Sequence, residues 1–511
     1  MNGRWLCATD RKLRIEFENP PRASLMNNAR RNFLKSLAAT PLLAAANVYG
    51  IEKNLRDDVE ETKLIMKDRR SIFDMKSYAA PPISNIRVGY IGMGNRGRAS
   101  MTRLAQFEGV EIKAIADCYE YPIELSRQIL KGFDYPAPDE YYKDENSWRE
   151  LLERDDLDLI YVTTPQYLHA EMAAAVMESG KHAACEVPLG YTLADCWKLV
   201  ETSERTRKYC AILENCCFDF FESLTINMAL QGVFGELVYG EGAYIHYFPA
   251  KTIFEEPMPP LSKKGGYYRF ATGACNKGNR YPTHGFGPVC QAMRINAGDR
   301  PLFLTSVETA DFSTKPAFDE LLAQESEYHK QFAGIEFTGN MNTSLVKTHN
   351  GKVIQVQYDR TSPRPYSRIH MLSGTNGFAQ KYPEPSRIYL DHSTPVSEEQ
   401  MAELEEKYTP ELTKFLAENA IKFGGHGGMD FICDYQLIDS LHNGLPLNIS
   451  VYEGATWSAI TPLSLWSVTH GSQPIEFPDF TGGLWKDAKP FDLSLRGAGN
   501  TVVTPKTPKE V

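Results

Sequence analysis

Apolar positions change rhythm along this chain, and the changes mark its elements. Ile86-Arg87-Val88-Gly89-Tyr90-Ile91 is almost continuously apolar, the pattern of a parallel strand covered on both faces. It runs into Gly92-Met93-Gly94-Asn95-Arg96-Gly97, after which residues 98–107 carry helical periodicity. A second strand pattern over Val110–Ala116 ends at Asp117. A third, over 157–162, ends at Thr163-Thr164-Pro165. A helix rich in small residues follows over 169–179, and Gly180-Lys181-His182-Ala183-Ala184-Cys185-Glu186 continues the alternation. Strand and helix in turn predict βαβ units and a parallel sheet. From Glu214 the rhythm shifts. Residues 237–247, 335–343 and 353–359 read as strands joined by loops, which predicts an open, mostly antiparallel sheet. Helical stretches over 430–443 and 451–467 are expected to pack back near the junction, and 485–511 to be a surface tail.

The N-terminal region has another character. Arg30-Arg31-Asn32-Phe33-Leu34-Lys35 precedes a short, moderately apolar run and Ala44-Ala45-Ala46, the order of a twin-arginine export signal. Residues 1–46 are therefore expected to be a leader directed to the twin-arginine export machinery, with the protein periplasmic or otherwise exported. Met26 stands where such a signal would begin, so 1–25 are read as an over-extended start. The run is shorter than the ~20 residues of a membrane span, and no stable span is expected elsewhere. Residues 47–84, closed by Pro81-Pro82, are expected to be a linker or arm.

Composition narrows the classes. In 511 residues the net charge is −10, which argues against a nucleic-acid partner because phosphate contacts need a basic surface. The ten cysteines form no Cys-x-x-Cys pair and the histidines show no metal-ligand spacing, so no metal is expected.

Gly92-x-Gly94-x-x-Gly97, with a strand before it and a helix after it, carries dinucleotide chemistry. Glycine permits the tight turn, the approach of a pyrophosphate and close helix–strand packing, and the helix N-terminus offers free N–H groups. Asp117, at the end of the next strand, suits two ribose hydroxyls and repels a 2′-phosphate, so NAD is expected rather than NADP. The expected fold class is thus α/β, with an N-terminal Rossmann doubly wound parallel sheet over 85–213 and a substrate-binding α/β domain over 214–484. Ligands in such sheets lie at the carboxyl ends of strands, which places Thr164, His169, Glu186 and Val187 near the nicotinamide half.

The run from Thr164 to Leu189 resembles the Gfo/Idh/MocA oxidoreductases, except that Glu186-Val187-Pro188 replaces their Glu-Lys-Pro. Three downstream stretches are similar to glycoside hydrolase family 109: Asn276-Lys277-Gly278-Asn279-Arg280-Tyr281-Pro282-Thr283-His284-Gly285, Thr361-Ser362-Pro363-Arg364-Pro365-Tyr366-Ser367-Arg368, and His426-Gly427-Gly428-Met429-Asp430-Phe431. Gln166, Leu168 and Arg280 depart from that pattern, Arg280 standing in place of an apolar residue. The resemblance implies that Gly92, Met93, Gly94, Asn95, Arg96, Asp117, Thr164, Gln166, Tyr167, Leu168, His169, Glu186, Val187 and Asn215 line NAD. It further implies that Tyr244, Arg269, Tyr281, Pro282, Thr283, His284 and Tyr366 line the sugar, with His284, Tyr281, Tyr244 and Tyr366 catalytic. His246 is expected on the opposite face of its strand from Tyr244. His426 is either part of a loop near the site or the lead-in to the helix before Asp430.

The implied activity is hydrolysis of N-acetylgalactosaminides, α-linked, by oxidation at C3, elimination across C1–C2, addition of water and reduction. Such chemistry needs acid–base groups rather than the two flanking carboxylates of ordinary glycosidases. Tyrosines can serve once a cation such as Arg269 lowers their pKa. Two other readings stay open: a periplasmic sugar oxidoreductase or epimerase with tightly bound NAD(P), and a non-catalytic sugar or dinucleotide sensor. The substrate is a small molecule or a glycan. The exposed face of the second sheet is a candidate surface for a homo-oligomer.

Overall fold

The computed structural model describes Leu64, residues 70–249, Phe254, and residues 277–324, 327–330 and 337–506. The leader, most of the linker and Arg269 lie outside these described residues. Strands β1 (Ile86–Ile91), β2 (Val110–Ala116), β3 (Asp139–Tyr141), β4 (Leu159–Val162), β5 (His182–Cys185) and β6 (Cys210–Ile212) form one sheet in the order β3-β2-β1-β4-β5-β6. All its pairings are parallel. Strand order reverses between β1 and β4, which opens a crevice at their carboxyl ends.

The second sheet joins β7 (Leu237–Ile245), β8 (Pro301–Glu308), β9 (Met341–Thr348), β10 (Val353–Asp359), β11 (Met371–Gly374), β12 (Phe378–Gln380), β13 (Arg387–Tyr389) and β14 (Ile475–Glu476) in the order β13-β12-β11-β7-β10-β9-β8-β14. Only β7 and β10 pair in parallel; the other neighbours are antiparallel. Leu304, Val346, Ile354 and Val356 point into the core, while Phe303, Val307 and Leu345 are exposed, the alternation of a sheet covered on one face. The helix Thr283–Ala292 packs beneath β7. There Gly242 and Gly285 come so close that a Cβ on either would lie under 3.0 Å from the other segment's backbone.

Two expectations are corrected. The strand expected at 335–343 is Met341–Thr348, because the hairpin with β10 sets its register (Thr343 opposite Gln357). Residues 485–506 are no surface tail: Trp485, Phe491 and Leu493 are buried, and Phe107 pairs with Val503 on the first domain. Its apolar side chains fill a groove that polarity alone did not reveal. Upstream, the arm docks through Ala80 N–H to the Tyr209 hydroxyl at 2.7 Å. The helix Met429–Asn443 returns to the first sheet, where Asp434 accepts from Arg103 Nε (2.6 Å) and the Tyr161 hydroxyl (3.1 Å). Among the described residues, no helix is long and apolar enough to cross a membrane.

Beside the second sheet, Arg368 and Lys381 are buried against Asp219 and Glu222, with Arg368 Nη2 2.6 Å and Lys381 Nζ 2.9 Å from the Glu222 carboxylate. Burial pushes the Glu222 carboxyl up, but these two cations pull it down to about 2 from 4.5. A depressed folded-state pKa contributes stability above the ordinary carboxylate range, lost as pH falls toward 2. Glu222→Gln is expected to destabilise by about 3–5 kcal/mol at pH 7 in denaturant unfolding, with the gap to wild type closing as the pH falls from 4.5 toward 2.

Candidate functional site

The glycine turn caps β1 and begins the helix Asn95–Leu104, whose N-cap is Gly94 with no side-chain hydrogen bond. A Cβ on Gly97 would lie under 3.0 Å from the Gly92 carbonyl oxygen, so Gly97 is needed by the protein itself. A Cβ on Gly94 would meet nothing within 4 Å. That open approach to an uncapped helix N-terminus is what a pyrophosphate requires. The turn is held by the Met93 N–H, which donates to Asp117 Oδ2 at 2.7 Å. Burial raises the Asp117 carboxyl, and the backbone N–H groups of Met93 and Tyr119 offset part of that rise.

Arg96 does not stand free beside this turn. Its Nε donates to Glu186 at 2.6 Å and its Nη1 to Asp430 at 2.9 Å. Asp430 also accepts from Asn215 Nδ2, and His426 Nδ1 lies 2.9 Å from its Oδ2. Burial favours the neutral acid, but His426, Arg96 and Arg103 together hold Asp430 well below the usual carboxylate range. His426 is thus both beside this cluster and in the turn leading into the Met429 helix.

The nicotinamide-side residues divide. Tyr167 is exposed, Leu168 is half-buried, and Thr164 is half-buried at the end of β4. Gln166 Nε2 donates to the Val187 carbonyl at 3.1 Å, and its Oε1 accepts from the Tyr191 hydroxyl. The His169 side chain is engaged within the protein. It is 1% exposed, with Nδ1 2.8 Å from the Pro188 carbonyl and Nε2 2.9 Å from that of Thr164. It ties two strand-end loops together, and burial lowers its pKa.

On the second domain the fold brings four expected residues into one cluster. Tyr244 lies 4.5 Å from Tyr281, 5.7 Å from His284 and 6.4 Å from Tyr366, between ring centroids. Tyr281 and His284, at the start of their helix, are half-buried, whereas Pro282 and Thr283 between them are buried. His246 is corrected as well: its Nδ1 lies 2.9 Å from the Tyr244 hydroxyl. Residues two apart in a strand share a face.

His284 Nδ1 is 2.7 Å from Oε1 of Glu214, which is fully buried. Burial pushes the Glu214 carboxyl up, but His284 beside it holds it below its ordinary value. A carboxylate only accepts, so Nδ1 donates to it, which fixes the orientation of the ring and leaves Nε2 facing away from Glu214. Burial drives the Tyr366 phenol to about 12, and Arg368, whose Nη1 donates to it at 3.2 Å, offsets only part of that rise; Arg269, the cation expected to acidify the tyrosines, lies outside the described residues. Glu214, Cys216 and His284 hold donor atoms close enough together for a metal ion, a grouping that spacing along the chain hides.

The described residues include a dinucleotide turn and an imidazole–carboxylate pair ringed by phenols. A model described as the C-terminal domain of glycosyl hydrolase 109 matches residues 222–487, and one for the NAD-binding Rossmann fold of an oxidoreductase family matches 86–213. The chain belongs to glycosyl hydrolase family 109. A Bacteroides fragilis protein named alpha-N-acetylgalactosaminidase is 42% identical over 80% of this chain and 95% of its own. A Shewanella protein named glycosyl hydrolase family 109 protein 1 is 38% identical over 91% and 99%. Levoglucosan dehydrogenase in complex with NADH and L-sorbose shares the fold, with TM-score 0.54 and 17% identity over 78% of this chain and 100% of that one.

Sequence reasoning passed over Glu214 and Asp430 as site residues. Each is a lone carboxylate in an apolar run, Ile212-Leu213-Glu214 and Met429-Asp430-Phe431, which was the available signal. Gly94→Ala is expected to leave the unliganded melting temperature unchanged while stripping NAD from the purified family 109 protein. Gly97→Ala is expected to lose both. Calorimetry together with nucleotide release on denaturation measures the contrast.

Proposed function

We propose that this protein hydrolyses N-acetylgalactosaminides, α-linked, with NAD that is used and regenerated within each turnover. The observation that carries this reading is the Glu214–His284 pair set among Tyr244, Tyr281 and Tyr366, on a chain that also carries an intact dinucleotide turn. Gly94, the first turn of its helix and Asp117 would hold NAD, Asp117 disfavouring a 2′-phosphate. When bound, NAD takes up one hydride and returns it.

The chain's own residues do the rest. The Glu214 carboxylate fixes the His284 tautomer, so Nε2 takes a proton and later gives it back. With its phenol held at about 12, Tyr366 keeps its proton at neutral pH and acts as a hydrogen-bond donor that orients the sugar. Glu186 and Asp430 hold Arg96 beside the dinucleotide turn.

In D₂O, product is expected to carry deuterium at C2, read by NMR or mass spectrometry; product without it would refute proton abstraction there. His284→Ala is expected to lower turnover by about 10²–10⁴-fold with NAD retained. Glu214→Gln, whose amide can donate to Nδ1 and so protonate Nε2, is expected to do likewise.

The twin-arginine pattern supports export of the folded, NAD-loaded protein. Replacing Arg30 and Arg31 by lysine is expected to leave precursor in the cytoplasm. Continued export of the double variant would overturn the assignment.

A further inference from the structure

Arg280 has a place in the fold that the reactions above do not use. It is 5% exposed, and among the described residues it has neither an ion pair nor a hydrogen bond; its Nε is buried without a partner. Its guanidinium lies 4.2 Å over the ring of Tyr191, whose hydroxyl is bound to Gln166, which in turn holds the Val187 carbonyl. The Tyr358 phenol feels the Arg280 charge, and its ring stacks 6.5 Å from that of Tyr244. Arg280 thus lies against the turn at the ends of β4 and β5 and within electrostatic reach of a ring in the tyrosine cluster.

The nearby carboxylates are engaged elsewhere. Glu308 accepts from the N–H groups of Gly278 (2.5 Å) and Gly339 (3.0 Å), and Asp359 from those of Thr361 and Ser362 (both 3.0 Å). Among the described residues the adjacent Asn279 Nδ2 is likewise buried without a partner. A buried guanidinium with no counter-charge among them is costly, and removing it should relieve the fold unless a ligand completes it. The pyrophosphate of a dinucleotide does not meet this need. Its place is the uncapped helix at Gly94, whose Arg96 is tied to Glu186 and Asp430.

We propose that Arg280 is a specificity-determining residue that receives an anionic substituent, a carboxylate or a sulfate ester, on the saccharide substrate. The planar fork of arginine matches either oxyanion with two parallel hydrogen bonds, and Tyr191 stacks on the face of the guanidinium rather than on its N–H edge. The substrate class, a charged amino sugar, rests on the glycosidase reading; the anion site itself does not.

The test uses full-length, NAD-loaded protein and direct binding by calorimetry. The probes are N-acetylgalactosamine, its 4-sulfate and 6-sulfate, and the corresponding 2-acetamido uronic acid. At least one charged sugar is expected to bind about 10- to 100-fold tighter than the neutral one. Arg280→Leu is expected to erase that difference and leave neutral-sugar binding unchanged, while Arg280→Lys retains part of it. The sulfates and the uronate tell the two oxyanions apart. Equal binding of charged and neutral sugars by the wild type overturns the proposal even if the leucine variant fails to fold. An equal loss for all sugars in Arg280→Leu, with normal folding, also overturns it. Preference for a charged sugar without hydrolysis of any aryl galactosaminide would leave the anion site standing and bring down the glycosidase reading. Hydrolysis with no charge preference would do the reverse.

Discussion

The close approach of Gly242 on β7 to Gly285 on the helix Thr283–Ala292 is the constraint on which the tyrosine–histidine cluster depends. A methyl group at either position would press into the backbone opposite, so neither can be replaced without moving the helix away from the sheet. That contact sets Tyr244, carried by the strand, against Tyr281 and His284, carried by the start of the helix. It also brings His284 onto Glu214, which leaves the first domain just after β6. One steric requirement thereby assembles an acid–base group from three separate segments.

A second tie joins the dinucleotide turn to the rest of the chain. Asp430 collects Arg96, Arg103, Asn215 and His426 around one buried carboxylate. Removing one member of such a cluster leaves a buried charge without its partner, so the group acts as a unit. Arg96 is set by this network together with Glu186, and the side of the turn that faces a cofactor is shaped from the far end of the sequence.

Electrostatics separate two of the clustered groups. Burial raises the Tyr366 phenol to about 12, and the Arg368 cation beside it is paired with Glu222 and Asp219. The His284 imidazole is hydrogen-bonded through Nδ1 to the buried Glu214 carboxylate.

Much of this was legible along the chain. Strand–glycine-turn–helix is a local pattern, and its chemistry follows from backbone sterics over neighbouring residues, so β1, Gly97 and the parallel character of the first sheet were readable before any coordinate, whereas its strand order was not. The phenols and His284 were readable because a motif preserves residue types at fixed spacing. Distance in sequence hid the rest. Glu214 and His284 are 70 residues apart, Arg96 and Asp430 are 334 apart, and no periodicity couples such pairs. The tail fitted the same limit: Phe491 and Leu493 are sparse apolar residues in a polar run, and only the groove that receives them makes them core. Burial, counter-charges and tautomers are properties of what surrounds a side chain. They were decided when the tertiary structure chose the neighbours.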